Sequence, residues 1–279
     1  MIAYLKLARP HQWLKNLMLY FPPFLSGAML QPGLYQKGML PLVSFCLASS
    51  AAYVFNDTLD APRDRNHPQK GGRPVASGAV SPLAAGVFSL LLLAAGVSVS
   101  LLVPGKFFLF VAAYLAVSLC YSIKLKELPV VDLFCIASGF VVRLYGGGAA
   151  FGVVISDWLF LSVFFLSVFL STGKRLCEKG TLGESAGDHR KSLEGYPEGF
   201  LDLAMALTGA AVLVTYTMYS LAKPPLVYTV PLCTFGLLRY IMRVKAGGGG
   251  DPTDALLKDL PLFLTGLSWA ILVAYCIYR

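Results

Sequence analysis

Apolar residues run along this chain in long, nearly unbroken stretches separated by shorter polar segments. The stretches predict helices at about 17–34, 38–57, 82–103, 105–123, 130–148, 156–173, 200–221, 225–243 and 259–278. A helix needs about 20 apolar residues to cross the hydrocarbon of a bilayer. Backbone groups in hydrocarbon must bond internally, and these runs are too long and too apolar for barrel strands. The pattern therefore predicts an all-α polytopic membrane protein with about nine transmembrane helices, or eight if 17–34 does not cross. The spans share one bundle, so 1–279 is expected to be a single transmembrane domain.

The polar segments alternate in size and charge. Segments 1–16, 58–81, 124–129, 174–199 and 244–258, with Arg239 and Arg243 at a helix end, hold 18 of the 23 lysines and arginines. The opposite ends hold Lys37, Lys106, Lys223 and Arg279, and Arg143 sits inside a span. Basic loops stay inside, so the first set is expected to be cytoplasmic, with the N-terminus, in a cell (inner) membrane. Of the 15 acids, 14 fall on that same side and only Asp157 on the other. Topology does not require acids, so a face rich in both signs suits either a solvated loop surface or a site.

Composition narrows the class further. Hydrophobic residues are 56% of the chain and charged residues 14%, against about 25% charged in soluble domains. That excludes a cytosolic globular enzyme and a disordered chain. The net charge of +8 is a one-sided basic face, so no nucleic-acid groove is expected. The six cysteines form no C-x-x-C pair and read as small core residues. His11, His67 and His189 lack ligand spacing, and the glycines at 247–250 lack the lysine of a phosphate loop. The first residues, MIAYLKLARPHQWLKN, are too polar for a cleaved signal peptide.

Asp57, Asp60 and Asp64 stand at i, i+3 and i+7 where an apolar run ends. On a helix they fall within an arc of about 60°. Three carboxylates on one stripe either are separated by water at a solvated helix end or share a cation. Hard oxygen ligands suit Mg²⁺, which takes one or two carboxylates plus substrate phosphates. Arg63, Arg65, His67, Lys70 and Arg73 follow at once, as a diphosphate ligand would need. Pro62 is expected to kink or end the helix between Asp60 and Asp64.

The segment NDTLDAPRD, 56–64, resembles the N-D-x-x-D-x-x-x-D signature of the UbiA superfamily of intramembrane prenyltransferases. RPHQW, 9–13, is similar to that family's motif before the first helix. The closer likeness is to its decaprenyl-phosphate phosphoribosyltransferase branch. It rests on RPHQWLKN (9–16), NDTLDAPRDRNHPQKGGRPVASG (56–78), YSIKLKELPVVD (121–132), SGFVVRLYGGG (138–148), GKR (173–175) and HRKSLEGY (189–196). The resemblance implies a UbiA-like bundle in which loops 58–81, 124–129, 174–199 and 244–258 cap the active site. It implies metal binding by Asp57, Asp60 and Asp64, and substrate contacts from Lys15, Asn16, Asn56, Tyr121, Arg190 and Lys191.

Aromatic prenyltransferases of this superfamily carry a second Asp-rich motif where this chain has YSIKLKELPVVD. Here only Asp132 remains, preceded by Lys124 and Lys126. Lysine cannot bind Mg²⁺ but binds phosphate directly. The two lysines either fix orientation or hold substrate phosphate in place of a second metal. Arg143 lies eleven residues beyond Asp132, on nearly the same helical face and about 16 Å deeper. Such an arginine pairs with an acid, holds a lipid phosphate or snorkels to the far interface. Lys174 and Arg175 open a long loop at a helix end.

The resemblance implies Mg²⁺-dependent transfer of 5-phosphoribose from 5-phosphoribosyl 1-diphosphate to a polyprenyl phosphate, releasing diphosphate, for cell-envelope glycan precursors. Asp57, Asp60, Lys124, Lys126 and Asp132 are the expected catalytic residues. Arg65, Lys70, Arg73, Arg143, Lys174 and Arg175 join the substrate contacts. The acceptor is already an anion, which fits a chain with few histidines. The alternative is an aromatic polyprenyltransferase of the 4-hydroxybenzoate type, and a more distant one a transporter. Oligomeric state is not readable from the sequence.

Overall fold

A computed structural model describes residues 2–65, 70–182 and 191–279. All regular structure among them is helical. The long helices are α1 (Leu34–Asp64), α2 (Pro82–Leu101), α3 (Phe107–Ile123), α4 (Val131–Phe151), α5 (Asp157–Leu182), α6 (Phe200–Leu221), α7 (Val230–Lys245) and α8 (Leu260–Tyr278). Six stretches are long and apolar enough to cross a membrane: Lys37–Asp64, Pro82–Leu101, Val131–Phe151, Asp157–Thr181, Phe200–Leu221 and Leu260–Tyr278. The shorter Phe107–Ile123 is also apolar. The chain is a multi-pass, all-helical membrane protein.

Four expectations on helix extent change, one of them at 225–243, where a 3-10 turn Leu226–Thr229 precedes α7. The run 17–34 is not one helix. It divides into a 3-10 segment Pro10–Tyr20, a short helix Phe21–Leu25 and a 3-10 turn Ala28–Leu30. Pro22 and Pro23 each remove a backbone donor, and Gly27 and Gly33 take φ near +80°. α1 continues past the apolar run to Asp64, through Pro62. Proline at 62 gives up one bond to a carbonyl four residues back, within the last turn, where little helix remains to disrupt. α5 likewise runs to Leu182, so Lys174 and Arg175 are helical and do not open a loop.

The contacts divide the chain into two compact units. The first comprises Met1–Pro22, Leu30–Lys126 and Val142–Val154. Its core gathers Leu19, Phe45, Phe107, Val111 and Tyr114, with a second cluster of Leu7, Val54, Val75 and Val80. α1 and α2 touch through small residues. A β-carbon at Gly96 would stand 2.9 Å from the Ala48 nitrogen, while Ser44 and Ser89 donate to the carbonyls of Gly96 and Ala51 at 2.9 Å each. Small residues allow such close approach where both helices are apolar.

The second unit comprises Pro23–Met29, Glu127–Val141 and Ile155–Arg279. Phe169, Met205, Val212, Leu237 and Tyr240 form its core. The Tyr240 ring lies where a β-carbon at Gly173 would be, 2.6 Å away. Its hydroxyl donates to the Leu170 and Gly250 carbonyls, at 3.0 and 2.8 Å. The glycine-rich turn is thereby seated on α5, with Gly250 so near Lys174 that a β-carbon would stand 2.5 Å from its Cα. The exposed faces of α2, α6 and α8 are rich in leucine, including Leu90, Leu91, Leu203, Leu207 and Leu260, as a lipid-facing surface requires.

Candidate active site

The last two turns of α1 and the segment preceding Pro10 build a charged cluster in the first unit. Residues 9–20 run antiparallel along α1. The Trp13 indole donates to Ser50 Oγ at 3.0 Å, and Ser50 donates to the Ala8 carbonyl at 2.7 Å. The Asn16 amide donates to Ser49 Oγ at 3.2 Å and to Cys46 Sγ at 3.3 Å. Tyr20 donates to the Gly38 carbonyl at 2.9 Å. Arg9 starts this strap with φ of 53°, a left-handed conformation rare for a side-chain-bearing residue. Held there, it places one guanidinium nitrogen 2.6 and 2.8 Å from the two oxygens of Asp57.

Asp57, Asp60 and Asp64 share one helical stripe, as their spacing predicts, and Pro62 does not turn Asp64 away. Arg73 donates to Asp57 at 3.0 Å and to Asp64 at 2.6 Å. Asp60 accepts from Asn56 at 2.9 Å and from Lys126 at 2.6 Å, and Lys126 also donates to the side-chain oxygen Oδ1 of Asn56 at 3.1 Å. Three carboxylates thus carry three cations of the chain itself. Such charge-assisted bonds are about twice as strong as neutral ones.

Of the two lysines in the connection after α3, Lys126 is buried in a 3-10 turn and reaches the stripe. Lys124 is exposed at the end of α3. Arg65 is exposed just past α1, and Lys15, Lys70 and Tyr121 are half-buried. Arg143 does not snorkel. It is buried in the first unit, donates from Nε to Asn16 Oδ1 at 2.8 Å and lies 4.4 Å from the centre of the Tyr114 ring. Asn16 is therefore an interior link between α1 and Arg143.

The second unit holds a different cluster around Asp132, in the first turn of α4. Its carboxylate accepts from Arg175 Nε at 2.7 Å, the Tyr196 hydroxyl at 2.6 Å and Ser192 Oγ at 3.3 Å. Arg175 also binds Glu178 at 2.7 Å. The Tyr196 oxygen accepts the Val130 amide at 2.7 Å, where Val130 itself has φ of 66°. Burial, then the bond to Asp132, pushes the Tyr196 hydroxyl well above its ordinary pKa. Lys174 pairs with Asp251 at 3.0 Å and Lys191 approaches Glu127 at 3.8 Å. Arg190, like His67 and His189, lies outside the described residues.

Arg9, which pairs with Asp57, is not among the candidate residues assigned from the sequence. Its signal was present in RPHQW, a basic residue immediately before a proline, but its partner is 48 residues away. Tyr196 and Ser192 were likewise read only as part of a motif.

The donor set of the α1 stripe suits Mg²⁺ in kind, being all carboxylate oxygen. Among the described residues, however, no three acidic, histidine or cysteine side chains converge as a ready ligand group. Arg9, Arg73, Lys126 and Asn56 occupy the oxygens, so an ion held by Asp57, Asp60 and Asp64 requires those partners to move.

Residues 20–267 match the model of the UbiA prenyltransferase family. The chain is 32% identical to the decaprenyl-phosphate phosphoribosyltransferase of Mycolicibacterium smegmatis, covering 98% of this chain and 92% of that one. It is 30% identical to the protein of the same name from Corynebacterium glutamicum, covering 98% and 86%. In structure it is similar to a UbiA homolog from Archaeoglobus fulgidus bound to GPP and Mg²⁺, with a TM-score of 0.78, 22% identity and 99% of both chains covered.

Proposed function

The chain belongs to the UbiA prenyltransferase family, and from that premise we propose that it transfers 5-phosphoribose from 5-phosphoribosyl 1-diphosphate to a polyprenyl phosphate. The observation that carries this reading is the 32% and 30% identity, over nearly the full length, to two proteins named decaprenyl-phosphate phosphoribosyltransferase. Lys126, standing on the carboxylate stripe at Asp60, supports it, because a fixed cation suits a reaction in which both substrates bring phosphate.

Asp57, Asp60 and Asp64 would hold Mg²⁺, which when bound would neutralise the departing diphosphate. The remaining work falls to the chain. Arg73 and Lys126 lie within reach of phosphate oxygens at the stripe and orient the donor as charged hydrogen-bond donors. Asn56 fixes Lys126 and Asp60 relative to each other. The acceptor phosphate is an anion at neutral pH and needs no base to remove a proton. Rate enhancement therefore comes from positioning and charge neutralisation. One oxygen of the acceptor attacks the ribose C1 on the face opposite the diphosphate, and the C1–diphosphate bond breaks.

The site opens to the cytoplasm, where a water-soluble sugar diphosphate is available, and the protein resides in the cell membrane. The lipid product supplies an activated pentose for cell-envelope glycans. The reading is tested by incubating purified protein in proteoliposomes with ribose-labelled phosphoribosyl diphosphate and polyprenyl phosphate. One diphosphate should be released per labelled lipid, with C1 inverted. Retention at C1, or no label in the lipid, contradicts it.

A further inference from the structure

The three acids of the carboxylate stripe are paired with cations of the chain itself, and this bears on how a metal enters. Asp57 is buried, with 2% of its side chain exposed, and its oxygens accept three bonds from Arg9 and Arg73. Those two arginines are 21% and 24% exposed. The acid is inaccessible behind cations that are themselves accessible. Arg9 is not a casual visitor, because its backbone is fixed by the strap of Trp13 and Asn16 along α1 and its guanidinium rests 5.5 Å from the centre of the Tyr53 ring.

We infer that Arg9 and Arg73 are resident counter-ions that exclude bare divalent cations from the stripe, so that Mg²⁺ is admitted together with diphosphate. The inference rests on the proposed donor site and deepens it. A bare dication reaching Asp57 must break the bonds to both guanidinium groups and leave them beside a new positive charge with no anion to take. A diphosphate arriving with the metal supplies that anion. The two arginines then exchange a carboxylate for phosphate oxygens, a geometry the guanidinium fork matches equally well. Binding of metal and diphosphate is thereby coupled, and each lowers the cost of the other.

The test uses the full-length protein in detergent and reads binding, with no phosphoribosyl donor or lipid acceptor present. Its outcome is therefore independent of which transfer reaction is catalysed. Calorimetric titration with Mg²⁺ alone should show weak binding to the unaltered protein. Arg9→Gln and, separately, Arg73→Gln should each tighten Mg²⁺ binding about tenfold or more, as expected when one competing charge-assisted contact is removed. The same variants should weaken binding of the Mg²⁺–inorganic diphosphate complex. Arg9→Lys, which keeps the charge, should stay near the unaltered protein for Mg²⁺ alone. Thermal unfolding without metal identifies folded variants, and either glutamine variant suffices. If neither folded variant binds Mg²⁺ alone more tightly, or if the unaltered protein binds Mg²⁺ equally well with and without diphosphate, the inference is overturned.

Discussion

The clusters at Asp57 and Asp132 use the same side-chain types and differ in what surrounds them. Around Asp57, the acid is buried and its arginines are partly open to water. Around Asp132, the acid and the groups that bond it directly are closed, and Glu178, on the far side of Arg175, reaches solvent. The acid is 0% exposed, its arginine 1%, and Tyr196 and Ser192 complete the shell from a segment 60 or more residues away. A buried pair with no exit for either partner serves the fold, since removing one member leaves an uncompensated charge. A pair whose cation reaches solvent can exchange partners. The first cluster is therefore suited to ligand exchange, and the second to fastening residues 192–196 and the Val130 turn onto α5.

The difference predicts opposite consequences for removing the two acids. Asp57→Ala should lower turnover by at least about 100-fold, the scale of losing one preorganised electrostatic contact, while the protein still inserts and unfolds at a similar temperature. Asp132→Ala should instead destabilise by about 3–5 kcal/mol, as for a broken buried ion pair. Total activity should then fall in proportion to the folded fraction, while the protein that remains folded keeps its turnover. Thermal melts beside initial rates distinguish the two; normal turnover for Asp57→Ala at saturating Mg²⁺ removes the metal reading of the first cluster.

Lys126 sharpens the first cluster. Lys126→Ala should raise the apparent KM for the phosphoribosyl diphosphate donor by roughly 10- to 150-fold, for a lost charge-assisted contact of about 1.5–3 kcal/mol. Lys126→Arg should recover part of this. If initial-rate kinetics are unchanged in both variants, the lysine serves orientation only.

The packing around the second cluster gives a smaller effect. A β-carbon at Gly195 would stand 2.5 Å from Pro129 Cγ, so Gly195→Ala should cost about 1–3 kcal/mol by overpacking, read in a thermal melt. Cytoplasmic access is checked without loss of stability at Gly72, which is exposed and has nothing within 4 Å of a β-carbon. Gly72→Cys should react with a membrane-impermeant thiol reagent only from the inside, above the background of the native cysteines. Labelling from outside reverses the orientation.

Much of this was legible in the sequence because hydrocarbon imposes a simple pattern. The run 200–221 matches α6 residue for residue, and 82–103, 105–123, 130–148 and 259–278 match α2, α3, α4 and α8 within a few residues. Apolar content alone does not report backbone freedom, so 17–34 looked continuous although Pro22 and Pro23 divide it. Charged turns of a helix look like loop, which hid the ends of α1 and α5. The i, i+3, i+7 stripe was readable because it is local. The partners of Asp57 and Asp132 were not, because Arg9 lies 48 residues before one and Arg175 lies 43 residues after the other. Composition shows how many cations there are and not which acid each one meets.

The most direct test of the proposed activity offers purified protein two donors at once: ribose-labelled phosphoribosyl diphosphate with polyprenyl phosphate, and prenyl-labelled prenyl diphosphate with 4-hydroxybenzoate. Ribose label is expected in the lipid phase, with no prenylated aromatic product. Prenyl label on 4-hydroxybenzoate with no ribose label in the lipid would contradict the proposed activity.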